Sequence, residues 1–395
     1  MRRALVVLGL GVCLASAGLP ATGAPAARRI AFLVDSWYPR SHADVIGTRF
    51  LEGYRLGSRT IASPLTVASV FAEAPRPNDQ TRALAARYGF RVASSVTDAL
   101  LDGSRLAVDG VLIATREDLP ERGMLPSPTP RLGTVRQVLR IFDQSGRRVP
   151  VFIDKMLAAN WEDSQAIVAE SARREIPLMG GSVLPFLPLD RPVRAGRVVV
   201  AVAIASTPFR AFGIHAAELL QGYLEQRDTR ESGVASIREV GTGYWTLPER
   251  EEWGGRLADA LLASAQTRRS RAPAVPAGLG PETTVFLIRY VDGTRAVLAF
   301  IPRLFDDREF LLGARYADGS TATGGVVLQA DPFDHFGYLV HALVALYTTG
   351  RPPTAAERTL LSTGIVLAGQ EARATGRAVA WPGLAVTYQV PHRSP

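Results

Sequence analysis

One lysine and one cysteine occur among 395 residues. The cysteine, Cys13, falls in an N-terminal segment that opens on Arg2-Arg3 and runs apolar from Ala4 to Leu19, with small residues toward its end. That pattern predicts a secretory signal peptide over residues 1–24, and an exported protein. Val12 stands where a lipoprotein signal wants a small residue, so no lipid anchor is expected. Without Cys13 the rest of the chain has no thiol. Disulfides, cysteine nucleophiles and thiolate metal sites are excluded from it, even in a compartment that permits disulfides. No later run is long and apolar enough to predict a membrane span. The net charge of +8 loses two with Arg2 and Arg3, and the arginines are scattered among acids. Their densest cluster, Arg268-Arg269-Ser270-Arg271, opens a Pro/Gly-rich stretch and reads as a solvated linker. With no recognition motif, nucleic acid is not an expected partner.

Every other basic residue among the 45 Lys and Arg is arginine, so Lys155 stands out. It ends the run Val149-Pro-Val-Phe-Ile-Asp154. Arginine keeps its charge at any working pH, whereas a lysine is a compact ammonium that can give up a proton or point at one atom.

About 370 residues remain after the signal, enough for two domains. The first part alternates short apolar runs with amphipathic stretches. Strands are predicted over 29–34, 65–71, 108–115, 149–153 and 176–179. Helices are predicted over 43–56, 79–88, 130–142 and 162–174, with one helical turn at 98–101. This alternation predicts βαβ units and a parallel sheet, and unbroken apolar runs fit strands covered on both faces. From about residue 186 the pattern changes. Strand-like runs at 197–204, 234–240, 284–291, 295–301 and 310–316 surround helices at 211–226 and 249–265. Asp292-Gly293 is a hairpin signal, and Asp318-Gly319 a second turn of the same chemistry. Helices at 335–348 and 354–375 close the chain, the last with Thr354 and Glu357 spaced as a capping box. The predicted organisation is a signal at 1–24, a Rossmann-like domain at 28–185, an α/β domain on an open, mostly antiparallel sheet at 186–350, and a terminal helix and tail at 351–395.

Ligands of open parallel sheets bind outside the carboxyl ends of the strands. The loop after the first strand, Asp35-Ser-Trp-Tyr-Pro-Arg-Ser-His-Ala-Asp44, has no glycine, and the next is Gly47. A dinucleotide site would normally place Gly-x-Gly-x-x-Gly there so that backbone can approach the pyrophosphate. Ser41 is placed to cap the following helix, and His42 with Asp44 to bind a ligand or metal or to sit in a loop folded on itself. No complete metal-ligand spacing occurs. Asp154-Lys155 ends the fourth strand. His215 and Glu218, three apart on a predicted helix, share a face. They read either as a general base oriented by a carboxylate or as a surface ion pair. His335, His341 and His392 are read as structural.

The segments Val108-Asp-Gly-Val-Leu-Ile-Ala-Thr115, Val149 to Ala158 with Asp154-Lys155-Met156-Leu157-Ala158, Ile176-Pro-Leu-Met-Gly-Gly-Ser182 and Ala211-Phe-Gly213-Ile-His215-Ala-Ala-Glu218 resemble the Gfo/Idh/MocA oxidoreductases. The run from Tyr338 through Gly350-Arg-Pro-Pro353 to Ala368 resembles that family's last helices. The resemblance implies a Rossmann domain followed by an open-sheet α/β domain, NAD or NADP as cofactor, and a sugar or polyol substrate. It implies that Lys155 contacts the nicotinamide ribose and a substrate hydroxyl, and that His215 is the acid/base, with Glu218 beside it. Asp35, Ser36, Ser41, His42, Thr115 and Asp154 are the candidate cofactor residues. Trp37, Tyr38, Trp161 and Tyr244 are candidate faces for a sugar ring. A homo-oligomer through the second-domain sheet is a further expectation. The sequence departs from the family at Met156, at Ala211, at Arg116-Glu117-Asp118 and in the glycine-free loop. A member that has lost dinucleotide binding and serves as a sugar-binding or scaffold protein is therefore the competing reading. A lyase or hydrolase reusing His42, Lys155 and His215 is a third.

Overall fold

The computed structural model describes residues 27–116, 128–267 and 279–391. The expected signal peptide, Glu117 and Asp118, the arginine cluster at 268–271 and His392 lie outside the described residues.

The first sheet contains β1 (Arg28–Val34), β2 (Leu65–Ala72), β3 (Arg91–Val92), β4 (Gly110–Ala114), β5 (Val151–Asp154) and β6 (Leu178–Gly181). Their order is β6-β5-β4-β1-β2-β3, and every pairing is parallel. This is the doubly wound order of dinucleotide-binding folds, whose switch point lies between β1 and β4. The helices are α1 (His42–Glu52), α2 (Thr81–Tyr88), α3 (Val96–Leu100), α4 (Arg131–Ser145) and α5 (Trp161–Arg173). Strands β4 and β5 are almost wholly buried, as their unbroken apolar runs predict.

The second sheet has six strands: β7 (Val198–Ala205), β8 (Val234–Glu239), β9 (Thr284–Tyr290), β10 (Arg295–Phe300), β11 (Glu309–Tyr316) and β12 (Thr321–Val327). Their order is β8-β9-β10-β7-β11-β12, antiparallel except for β7 with β10. Residues alternate between two apolar faces. Ala201, Ala203, Phe286, Leu298 and Leu312 join a core that also holds the first domain. Val200, Val202, Leu287, Val297 and Leu311 form a second core. Helix α6 (Phe209–Leu224) covers the first face, where Phe209 packs edge-on to Phe286 at 4.7 Å. Helix α7 (Gly255–Ser264) covers the other with Leu257, Leu261 and Leu262.

Four local expectations are corrected. The predicted helix 43–56 stops at Glu52, because Gly53 (φ 90°) turns the chain into a hairpin of Tyr54–Leu56 with Arg59–Ile61. The predicted helix 249–265 breaks at Gly254 (φ 75°) into a 3₁₀ turn, Arg250–Trp253, and α7. Strand β12 was not predicted; Gly324-Gly325 weakens its strand signal, yet it pairs with β11 along its whole length. The last helix, α9 (Ala356–Thr375), starts after Ala355, and the buried Thr354 hydroxyl has no partner, so there is no capping box.

Helix α8 (Phe336–Thr349) packs on α1 and the hairpin, and Tyr347 O–H donates to Val111 O of β4 at 2.9 Å. Helix α9 lies between α5 of the first domain and α6 of the second. The chain returns to tie both sheets together, α9 at the carboxyl ends of β5 and β6 and Tyr347 at the start of β4.

Candidate active site

Strand β5 ends on Asp154, and Lys155 then turns into positive φ (63°). That backbone region costs a non-glycine residue about 1–2 kcal/mol. The turn is held from three sides. Lys155 N–H donates to Gly181 O at 2.9 Å. Leu157 N–H donates to Thr363 Oγ1 of α9 at 3.2 Å. Arg131, buried at the start of α4, donates from Nη1 to Asp154 O (3.1 Å) and to Met156 O, and from Nη2 to Thr115 O. One guanidinium therefore clamps the carboxyl ends of β4 and β5.

Ser41 caps α1, accepting from Asp44 N–H at 3.2 Å. His42 then stands at the first helical position and turns its Nδ1 to the Asp154 carboxylate, 2.7 Å from Oδ2 and 2.9 Å from Oδ1. Asp154 is 4% exposed. Burial pushes its carboxyl up. The charge and hydrogen bond of His42, with Lys155 and Arg131 nearby, outweigh that and hold it below the ordinary aspartate range.

His215 approaches from α6. Its ring centroid is 6.3 Å from that of His42, and Ser182 Oγ lies 2.6 Å from its Nδ1. Ser182 follows Gly181, the bridge partner of Lys155, so the lysine and the residue holding the imidazole are fixed to each other through backbone. Glu218, expected to orient His215, is instead fully buried behind Gly181. Its Oε2 accepts from Ser182 N–H (3.4 Å) and from Arg358 Nη2 of α9 (3.2 Å). Ser182 thus takes the orienting position, with Glu218 behind it. Burial pushes the Glu218 carboxyl up; Arg358 opposes this, and Glu225 on the far side of Arg358 adds to the rise. Gly181 (φ 108°) admits no side chain here, since a Cβ would overlap Glu218 Oε2.

Asp35, Ser36, Ser41, His42, Thr115, Asp154 and Lys155 all line one cleft of about 160 Å³, together with Tyr38, Arg40, Arg76 and Arg116. It lies at the switch point: Arg116, after β4, donates from backbone N–H and from Nε (2.9 Å) to Asp35 Oδ2 after β1. A cavity of about 170 Å³ adjoins it at Thr115 and is lined by Glu73, Thr129 and Gln137. On the other side, at His42 and Arg40, it meets a cavity of about 280 Å³ that holds His215. Lys155 and His215 therefore open into neighbouring cavities that share His42. The three together form a trough across the carboxyl ends of the first sheet.

Four backbone N–H groups of the loop after β1 are spent within the protein. Trp37 N–H donates to Asp79 Oδ2 (2.7 Å), Tyr38 N–H to Ser41 Oγ (3.2 Å), Arg40 N–H to Asp44 Oδ2 (2.8 Å) and Ser41 N–H to Tyr38 O (3.0 Å). Ser36 Oγ also donates to Asp79, at 2.7 Å. Cationic side chains border the cleft instead: Arg40, Arg116, Lys155, and Arg76 stacked 4.6 Å over Tyr38. An anionic cofactor would be gripped by side chains where the usual site uses glycine backbone.

Of the four candidate aromatic faces, Tyr38 lines the cleft beneath Arg76 and the other three are elsewhere. Trp37 is buried, stacked between Phe32 and Phe90, and takes up the space beside Gly47. Tyr244 is in the second core, and Trp161 packs on Gly364 and Gly383. The aromatic walls next to His215 are Phe212, Phe333 and Phe336. His335, read as structural, lines the same cavity. Ser182, Arg131 and Arg358 were also not singled out. Only Arg358 carried a signal, an arginine inside an apolar helical run.

No protein-family model matches the sequence, and no curated protein does. Solved structures do. GenD2 from gentamicin A biosynthesis, in complex with NAD, is 16% identical, with 92% of this chain and 99% of that one covered at a TM-score of 0.55. Myo-inositol 2-dehydrogenase from Lactobacillus plantarum is 12% identical, with 89% and 99% covered at 0.57. Scyllo-inositol dehydrogenase from Lactobacillus casei, with bound NAD(H) and scyllo-inositol, is 13% identical, with 89% and 98% covered at 0.56. The chain therefore has the α/β fold, a parallel and a mixed six-stranded sheet, of the Gfo/Idh/MocA-type oxidoreductases that its motifs resemble.

Proposed function

We propose that the chain is an exported NAD(P)-dependent oxidoreductase acting on a hydroxyl of a sugar or polyol. The observation that carries this is the Lys155–Gly181 bridge. It sets the lysine one residue from Ser182, and Ser182 holds His215, all at the carboxyl ends of β5 and β6. The neighbours bound to NAD and to scyllo-inositol support the cofactor and substrate classes. Export rests on the N-terminal pattern alone.

A bound nicotinamide cofactor would accept or supply hydride. Arg40, Arg76 and Arg116 would hold its charged part, with the start of α1 at His42 and Ala43 behind them. Glu73 is an acid at the end of β2, where such folds engage a ribose. The proton moves through this chain's own groups. His215 takes it from the reacting hydroxyl in oxidation and returns it in reduction, with Ser182 fixing the ring. The Lys155 ammonium steadies the oxygen as charge builds. His42, locked to Asp154, separates the polar cleft from the substrate cavity.

The test is direct. Protein folded in the cytoplasm should release a nucleotide on acid denaturation, or gain several degrees of thermal stability with NAD(H) or NADP(H). Neither effect, under conditions where the fold is intact, would sink the reading and leave the binding-protein alternative.

A further inference from the structure

We infer that the substrate of this site is sparsely hydroxylated: a deoxygenated, alkylated or aryl-bearing cyclitol or sugar rather than a free one. The inference rests on the oxidoreductase reading for the reaction, but on the cavity itself for the chemistry it accepts.

The cavity beside His215 has about 280 Å³ of room, and Val45, Leu184, Phe212, Leu328, Phe333 and Phe336 form most of its wall. Its polar lining is short. Arg40 is exposed and Arg308 partly so, and both are already paired, Arg40 with Asp331 at 3.3 Å and Arg308 with Asp306 at 2.7 Å. That leaves Gln329 and three imidazoles. His42 has one ring nitrogen on Asp154, and His215 has one on Ser182. His335 is 6% exposed, bonded to the Gln329 backbone, and its buried Nδ1 has no hydrogen-bond partner. Each imidazole therefore offers a ligand at most one ring nitrogen.

A fully hydroxylated ring brings roughly six hydroxyls, each with a proton to donate and lone pairs to satisfy. Three ring nitrogens and one amide meet fewer than half of these. The rest would be stripped of water against phenyl and leucine side chains, and an unpaired buried hydroxyl weakens binding heavily. A ligand with two polar groups fits the same surface. One, the reacting hydroxyl, lies between His42 and His215. The other takes the His335 Nδ1, and the body lies on the three phenyl rings. An apolar pocket with a few convergent polar groups is the usual construction of a site for such ligands.

Matched pairs test this by calorimetry on the full chain, with no turnover required. The first pair is trans-cyclohexane-1,2-diol against myo-inositol, one ring with and without four hydroxyls. The second is phenyl β-glucoside against glucose. The less polar member should bind at least about tenfold tighter in each pair. His335→Phe should weaken the diol. Leu328→Asn, at a half-buried wall position, should narrow the gap without unfolding the protein. Equal or tighter binding of inositol and glucose would overturn the inference, and so would failure of both less polar probes at millimolar concentration. Selective diol binding without any nucleotide effect would sink the oxidoreductase reading alone. Turnover with a preference for free inositol would sink this inference alone.

Discussion

The two cavities that meet at His42 are made of opposite materials. The cleft on the Rossmann side is edged by Arg40, Arg76, Arg116 and Lys155. The cavity on the second-domain side is walled by Phe212, Phe333, Phe336 and leucines. One is lined mainly by polar and charged groups and the other mainly by apolar ones, with Arg40 shared and Arg308 at the second. The imidazole of His42, pinned by a buried aspartate, is the partition. An apolar cavity beside a charged cleft concentrates the electrostatic action at their boundary, because a lower local dielectric strengthens each charge near it. The supports differ in kind as well. The Rossmann half is held by a clamp of Arg131 on backbone carbonyls. The second half is held by an ionic network in which Arg358 stands between Glu218 and Glu225 with no exposure.

Breaking that second support should have the largest effect on stability. Arg358→Met would leave two buried carboxyls without their cation and should cost about 3–5 kcal/mol in urea unfolding. Adding Glu218→Gln should recover part of it. Equal stabilities for the single and double variants would show that the network does not hold His215's side of the site.

The chemistry should depend on both halves at once. Lys155→Ala and His215→Ala should each lower kcat about 10²–10⁴-fold with an unchanged circular dichroism spectrum. If only one of them matters, the two cavities do not share a reaction. The cleft can be weakened by itself. Arg76→Ala should raise the Kd for the nucleotide about tenfold, more at low salt, with kcat retained, since exposed cations are screened. An effect on kcat instead would place Arg76 with the reacting atoms.

His335 sharpens the contrast through pH. Burial and the nearby Arg49 push its pKa down to about 4 from an ordinary value near 6.5. The unfolded chain then binds the extra proton between those values, so stability falls as pH drops from 6.5 toward 4. His335→Gln should remove that component from the difference between two stability–pH curves; an unchanged slope would show that the ring is not buried as neutral imidazole. The smallest effect concerns strain. With Lys155 at φ 63°, Lys155→Gly should be about 1 kcal/mol more stable than Lys155→Ala, although both should be inactive.

Much of this was legible beforehand, for local reasons. The capped start of α1 at Ser41, the unbroken apolar run into Asp154 and the Asp292-Gly293 hairpin are each set by a few adjacent residues, and they stand where their patterns put them. Misses cluster where a glycine or a distant partner decides. Gly53 and Gly254 end helices whose apolar periodicity runs on, and β12 exists because β11 offers it a ladder. In the site, Glu218 shares a helix face with His215 by spacing, yet its oxygen goes to Ser182 and to Arg358, 140 residues away. Trp37 reads as a platform for a ring but is drawn into the core beside Gly47.

The sequence by itself determined the alternation of strands and helices, the absence of thiol chemistry, and the place of Lys155 at a strand end, since these depend on composition and on neighbours along the chain. Tertiary structure decided which residues hold the histidines, that α7 covers the second sheet, and that the cavity beside His215 is walled by Phe212, Phe333 and Phe336. Those outcomes depend on side chains from separate elements, 33 residues apart for Ser182 and His215 and 112 for His42 and Asp154, competing for the same buried space. No local pattern records who wins that competition.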